Sequence, residues 1–205
     1  MWTALFAVIG YVCGSMPWGY WLVRIFRGED IRTQGSGNIG ATNVWRVHGR
    51  RLGLAAVLLD TAKGLAPTLI ATKLAGHDAG ALTGGAAMLG HYRPLFLRFR
   101  KGGKMVATTG GAFLGVAPIV GGIGAGVWLA VFGLTRYASV ASMCAAASLP
   151  LWGWVMGYPW PVILFGGLAG AGVVVLHRAN IRRLARGEES RFRLRRRPKP
   201  VSPAA

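Results

Sequence analysis

The chain has 205 residues, of which 53% are hydrophobic and only 15% charged. The apolar residues lie in long runs, which excludes a soluble globular domain and leaves an integral membrane protein. The net charge of +18 does not mark a nucleic-acid binder, because 20 of the 24 Lys and Arg residues fall in segments 27–51, 93–104 and 178–199, between or after those runs; cytoplasmic loops beside anionic lipid carry such excesses.

In chain order, the runs predict spans at roughly 2–25, 52–72, 79–97, 105–118, 119–135, 138–156 and 159–176. The fourth and fifth are short and Gly-rich, and meet at Pro118. The expected fold is an all-α bundle of about seven transmembrane helices with cytoplasmic motif loops. The basic segments follow the odd-numbered spans, which places the N-terminus outside and the C-terminus in the cytoplasm. Residues 1–189 read as one transmembrane domain. Residues 190–205 read as a basic cytoplasmic tail, disordered or lying on the membrane. No internal repeat supports an inverted-repeat transporter.

The first polar segment, "TQGSGNIGATN" (33–43), carries Gly35, Gly37 and Gly40 in the G-x-G-x-x-G spacing. Asp60 stands near the offset expected for a ribose-binding acid. A dinucleotide site needs a preceding strand, and here an apolar span precedes, so that reading fails. Two readings remain: an interfacial Gly-Asn loop, or a phosphate cradle of backbone N–H groups. On a helix over 38–47, Asn38, Thr42 and Arg46 would share one face, with Arg46 as a bidentate cap. Gly37 and Asn43 belong to the same segment.

Asp60 and Lys63, in the second span, read as a mutually neutralising i,i+3 pair that holds the bundle together. In "GHYRPLFLRFRKGGKMVAT" (90–108), Lys104 follows Gly102 and Gly103 and opens a span. It is either a point-charge phosphate ligand beside free N–H groups or a snorkelling lysine. Ser142, like Ser139, reads as a helix-packing hydroxyl. In "HRANIRRLARGEE" (177–189), His177 and Asn180 share a helix face. Three elements thus bring donors and positive charge to one membrane surface, which suits a phosphorylated substrate with an apolar portion.

Segments 36–49, 90–108 and 177–189 together resemble the three cytoplasmic motifs of the bacterial acyl-phosphate:glycerol-3-phosphate acyltransferases, the PlsY family. The resemblance covers about residues 1–189. It implies transfer of a fatty acyl group from acyl-phosphate to the sn-1 hydroxyl of glycerol 3-phosphate, giving lysophosphatidic acid and phosphate for phospholipid synthesis in the bacterial cytoplasmic membrane. Nothing in the sequence suggests a bound metal or organic cofactor, and the candidate partners are the lipid bilayer and an enzyme that supplies acyl-phosphate, which the sequence does not identify. The resemblance assigns phosphate contacts to Ser36, Arg46, Lys104, Ser142, His177 and Asn180; all but Ser142 are carried as catalytic. Gly37, Asn38, Thr42, Asn43, Gly102, Gly103 and Ser142 are carried as substrate-binding. The chain departs from the family where Ile39 replaces Pro, Met105 replaces Gly and Ala179 replaces Glu. Glu188 matches the glutamate of the third motif, in a supporting role. The residues five after His48, His77, His91 and His177 are Gly53, Leu82, Phe96 and Arg182, so the H-x4-D motif of other glycerolipid acyltransferases is absent. The proton acceptor is then the substrate's own phosphate or His177. The alternative to an enzyme is a transporter of a phosphorylated metabolite.

Overall fold

The structure, a computed structural model, describes residues 2–192. Among these there are nine α-helices, two short 3-10 turns and no strand. The first apolar run forms α1 (Trp2–Gly14) and α2 (Trp18–Arg27), where the sequence predicts one span. Pro17 explains the break: it lacks an N–H and disfavours helix at Met16. The broken main chain needs hydrogen-bond partners inside the bundle. Lys63 Nζ supplies one, donating to the Met16 carbonyl at 2.6 Å. The Asp60–Lys63 pair, 2.7 Å apart, therefore does more than neutralise itself.

After a short amphipathic α3 (Ala41–His48) comes α4 (Arg50–Tyr92), interrupted at Gly76. The φ of Gly76 is 85°, a left-handed value that glycine adopts without strain. The two arms of α4 carry the predicted second and third spans. α5 (Val106–Val116), α6 (Pro118–Thr135), α7 (Ala138–Val155) and α8 (Trp160–Leu176) follow, and α9 (Arg178–Ala185) leaves α8 at a bend of 55°. Pro118 sits at the first position of α6, where its missing N–H costs nothing. By length and composition, four helical stretches among the described residues suffice to cross a membrane (α1 with α2, α4, α6 and α7), or five if α8 and α9 form one span. α5, with 11 residues, reaches only about 16 Å and stops short of a core of about 30 Å.

Close helix contacts build the centre. Gly64 on α4 and Gly111 on α5 lie so near the partner backbone that a Cβ would fall on the Thr108 and Thr61 carbonyls. In lipid, where no hydrophobic drive joins helices, such approach supplies the dispersion energy. Phe113 and Phe165 stack in the main core, with ring centroids 4.8 Å apart. One end of the bundle collects the basic loops: Lys104 meets Asn180, and Phe192 meets Trp45 and Arg136. The other end holds the Gly76 break and the 156–159 turn, joined by His77 against Tyr158.

Met105 occupies a left-handed backbone position with φ 67°. This costs a β-carbon residue roughly 1–2 kcal/mol. Its side chain is buried in the main core, which stabilises by about 1.5–3 kcal/mol. Met105→Ala should therefore destabilise more than Met105→Gly, the reverse of the usual order, because only glycine relieves the strain. Thermal unfolding in detergent checks this; Ala above Gly would contradict the assigned balance.

Candidate active site

The three polar segments converge on one cavity of about 650 Å³. Ser36, Asn38, Thr42, Asn43, Arg46, Lys104, Ser142, His177 and Asn180 line it, whereas Gly37, Gly102 and Gly103 do not.

The first loop is organised by Asn43. Its Oδ1 accepts from the Ser36 N–H at 3.0 Å, and its Nδ2 donates to the Gln34 and Asn38 carbonyls at 3.0 and 2.9 Å. Asn43 is thus a clamp whose hydrogen bonds are internal. Gly37 takes φ 67° to close this turn, and its N–H donates to the Gln34 carbonyl at 2.9 Å. Gly40 caps α3 with no side-chain acceptor, so the first-turn N–H groups of Ala41 and Thr42 have no partner within the helix. The helix starts only at Ala41, not at Asn38, so Asn38 lies in the preceding loop and shares no helix face with Thr42 and Arg46. Its Oδ1 accepts from the Gly40 N–H at 2.7 Å, and all three side chains line the cavity. This end attracts an anion through dipole, amide and guanidinium together.

The second loop folds back on α4. The Gly102 and Gly103 N–H groups donate to the Tyr92 and His91 carbonyls at 2.9 and 3.1 Å. They are engaged, which corrects the expectation of free phosphate donors. The fold-back delivers Lys104 to the cavity, where its ammonium donates to Asn180 Oδ1. Burial, and then the positive charge of Arg183, push the Lys104 amine down to about 8, against the opposing charge of Glu189.

At the bend from α8 to α9, His177 Nδ1 lies 2.8 Å from the Val173 carbonyl. A carbonyl only accepts, so Nδ1 carries the hydrogen and Nε2 of the neutral ring is an acceptor. Asn180 Nδ2 donates to Glu189 Oε1 at 2.6 Å. Ammonium on one side and carboxylate on the other fix the orientation of the amide.

A family model described as glycerol-3-phosphate acyltransferase matches residues 4–187. The chain is 47% identical to the glycerol-3-phosphate acyltransferase of Desulforudis audaxviator over 94% of its length and 98% of the relative's. With that of Aquifex aeolicus the identity is 44%, over 92% and 99%. The chain belongs to the glycerol-3-phosphate acyltransferase family. The crystal structure of the integral membrane acyltransferase PlsY in its glycerol 3-phosphate form superposes with a TM-score of 0.89 at 41% identity, over 94% of this chain and 96% of that one. The lysophosphatidic acid form gives 0.87 at 39% identity, over 95% and 97%. This chain is, like them, a multi-pass membrane protein.

Within the family frame, three features of the site escape the sequence. The first is Glu189. Its carboxylate accepts from Asn180, from Arg183 Nε at 2.6 Å and from Ser139 Oγ at 2.9 Å. Glu188, the residue that matches the third motif, is exposed instead. The "GEE" pair offers two registers, and only the turn after α9 decides between them. Burial raises the Glu189 carboxyl, but the hydrogen bonds from Asn180, Arg183 and Ser139 outweigh it and hold the group below its ordinary value.

The second is the role of Ser142. Its hydroxyl donates to the Ala138 carbonyl at 2.6 Å and accepts from Trp128 Nε1 at 3.1 Å. A hydroxyl has two acceptor lone pairs, so one remains for a ligand in the cavity that Ser142 lines.

The third is the apolar limb. From the polar end the cavity continues between Leu54 and Val57 of α4, Gly110 and Leu114 of α5, and Ala125 and Leu129 of α6. Leu54 and Leu129 are also exposed on the outer surface, so the limb reaches the lipid-facing side. Ser190 and Phe192, placed by sequence in the tail, line the cavity. Phe192 sits between Trp45 and Phe132 with centroids 5.5 and 5.4 Å away. Its N–H donates to the Arg136 carbonyl at 2.8 Å. Residues 193–205 of the expected tail lie outside the described residues.

Proposed function

We propose that this chain transfers a fatty acyl group from acyl-phosphate to the sn-1 hydroxyl of glycerol 3-phosphate. The products are lysophosphatidic acid and inorganic phosphate. The site faces the cytoplasm from a bacterial cytoplasmic membrane, with the N-terminus outside. One observation carries the reading: a single cavity joins a cationic, donor-rich end to an apolar limb that reaches the lipid-facing surface. Both substrates are anions and one bears a long chain, which matches the two ends. Family membership and the ligand states of the two PlsY structures support the same choice.

Arg46 and Lys104 hold phosphate charge, with Ser36, Asn38, Thr42 and the α3 N-terminus completing the cradle. Asn180 and His177 orient the attacking hydroxyl. The hydroxyl oxygen attacks the acyl carbon, the acyl C–O bond to phosphate breaks, and phosphate leaves with the electron pair. Fixed cations stabilise both the oxyanion and the departing group. The proton passes to the phosphate of glycerol 3-phosphate. The accepting His177 Nε2 favours a second route, with the imidazole as base. A histidine base contributes about 10²–10⁴-fold. His177→Gln should leave turnover within about tenfold of wild type, with an unchanged pH profile, if substrate phosphate is the acceptor. A larger loss with an altered acid limb assigns the proton to His177. The reading as a whole is tested with purified protein, acyl-phosphate and glycerol 3-phosphate: absence of glycerol 3-phosphate-dependent phosphate release rejects it.

A further inference from the structure

Asp60, Lys63 and His91 form a buried polar cluster under the second loop. Asp60 and Lys63 have side chains 3% and 2% exposed. Charges this deep are costly to desolvate, and a pair that only neutralised itself would be better replaced by apolar residues. Lys63 is pinned to the Met16 carbonyl at the α1–α2 break. Asp60 Oδ1 faces His91 Nδ1 at 3.7 Å, beyond direct hydrogen bonding but close enough to orient the ring electrostatically. His91 Nδ1 has no hydrogen-bond partner among the described residues. The other edge of the imidazole lies against Gly103, where a Cβ would fall on Nε2. The main chain seals that contact, since Gly103 N–H donates to the His91 carbonyl. The next residue is Lys104.

We infer that the Asp60–Lys63–His91 cluster is a positioning device for Lys104, holding the second loop so that the ammonium stands in the cavity against Asn180. Lys63 fixes Asp60, Asp60 fixes the His91 ring, and the ring is the wall on which Gly103 lies. Gly103 is then required by contact, because any side chain would displace the wall. Asp60 and His91 also line the cavity. The inference rests on Lys104 as a phosphate ligand, and its test does not depend on turnover.

Lysine modification across pH, read at Lys104 by mass spectrometry, gives the midpoint of that amine, about 8 in the wild-type chain. The charged groups around it are Arg46 on α3, Lys101 in the same loop, and Arg183 and Glu189 beyond Asn180, with His177 beside them. None is changed in the variants. In Asp60→Asn and in His91→Ala the loosened loop hydrates the ammonium, and the midpoint rises by about one pH unit or more toward the free-lysine value of about 10.4. Affinity for glycerol 3-phosphate, measured by calorimetry, falls about tenfold. Because the groups act in series, Asp60→Asn adds nothing in the His91→Ala background. If the unpaired Lys63 prevents folding, Asp60→Leu combined with Lys63→Met removes both charges, with the same shift expected. A lowered thermal midpoint with the Lys104 midpoint still at about 8 and unchanged affinity overturns the inference. The shift appearing in a protein without acyl transfer would instead reject the proposed function and leave the inference standing.

Discussion

Lys104→Met should reduce phosphate release by about 10²–10³-fold, the loss seen when one preorganised donor to a developing anion is removed. Methionine has similar length and volume, so the packing survives and the effect isolates the charge. The loss should appear in kcat and in the KM for glycerol 3-phosphate together, because the ammonium meets phosphate in both ground and transition states. The wild-type profile should report the same group. Burial and the neighbouring Arg183 lower the Lys104 amine to about 8, so its positive charge is complete well below that pH and is lost above it. Activity should therefore fall on the alkaline side with a midpoint of about 8, a limb missing from the residual activity of Lys104→Met. A Lys104→Met profile that keeps this limb would assign it to another group. A variant with near wild-type turnover would remove Lys104 from the site.

How much of this was legible in the sequence depends on the range over which each feature is determined. The seven apolar segments were, because hydropathy over about twenty residues is a local property of the chain. All seven are largely helical here. Their interruptions were harder to read. Pro17 and Gly76 are single residues inside or beside long apolar runs, and a run's average hides them. The gathering of Ser36, Arg46, Lys104 and His177 at one end followed from charge asymmetry and motif order. What each donor does there was not legible. Gly102 and Gly103 look like free N–H groups until the chain folds back on Tyr92 and His91. Asn43 looks like a ligand until its amide is seen to close its own loop. The partners in these cases are fixed by tertiary contact, to which spacing in sequence is blind. Asp60–Lys63 shows the intermediate case: the i,i+3 pair was readable, but its contacts with Met16 and His91 join residues far apart in the chain.

Glu189→Gln tests whether the fixed amide of Asn180 matters to the chemistry. Glutamine keeps the size and one acceptor, but its other end is an amide donor that meets Arg183 Nε donor to donor. The amide oxygen still faces Asn180 and Ser139, but the repulsion at Arg183 Nε displaces it, which moves the Asn180 amide and with it the acceptor of Lys104. Misplacement on the order of 1 Å at such a site costs about a hundredfold in rate. Stability should change less. Asn180 and Ser139 lose a charged partner, while the partly exposed Arg183 regains water, so the expected destabilisation is about 2 kcal/mol. The pH dependence of stability separates this group from the rest. Its carboxyl lies below the ordinary value in the folded chain, so its stabilisation is complete above the unfolded carboxyl pKa of about 4.3 and is lost as pH falls through the folded value. Glu189→Gln should flatten that acid step, measured as the thermal midpoint over roughly pH 3 to 6. The decisive comparison is with Asn180→Ala. If Glu189 acts on turnover through Asn180, the double variant should be no slower than Asn180→Ala alone. Additive losses would mean that the carboxylate serves the substrate by a separate route, through Arg183 or through its charge on the Lys104 ammonium.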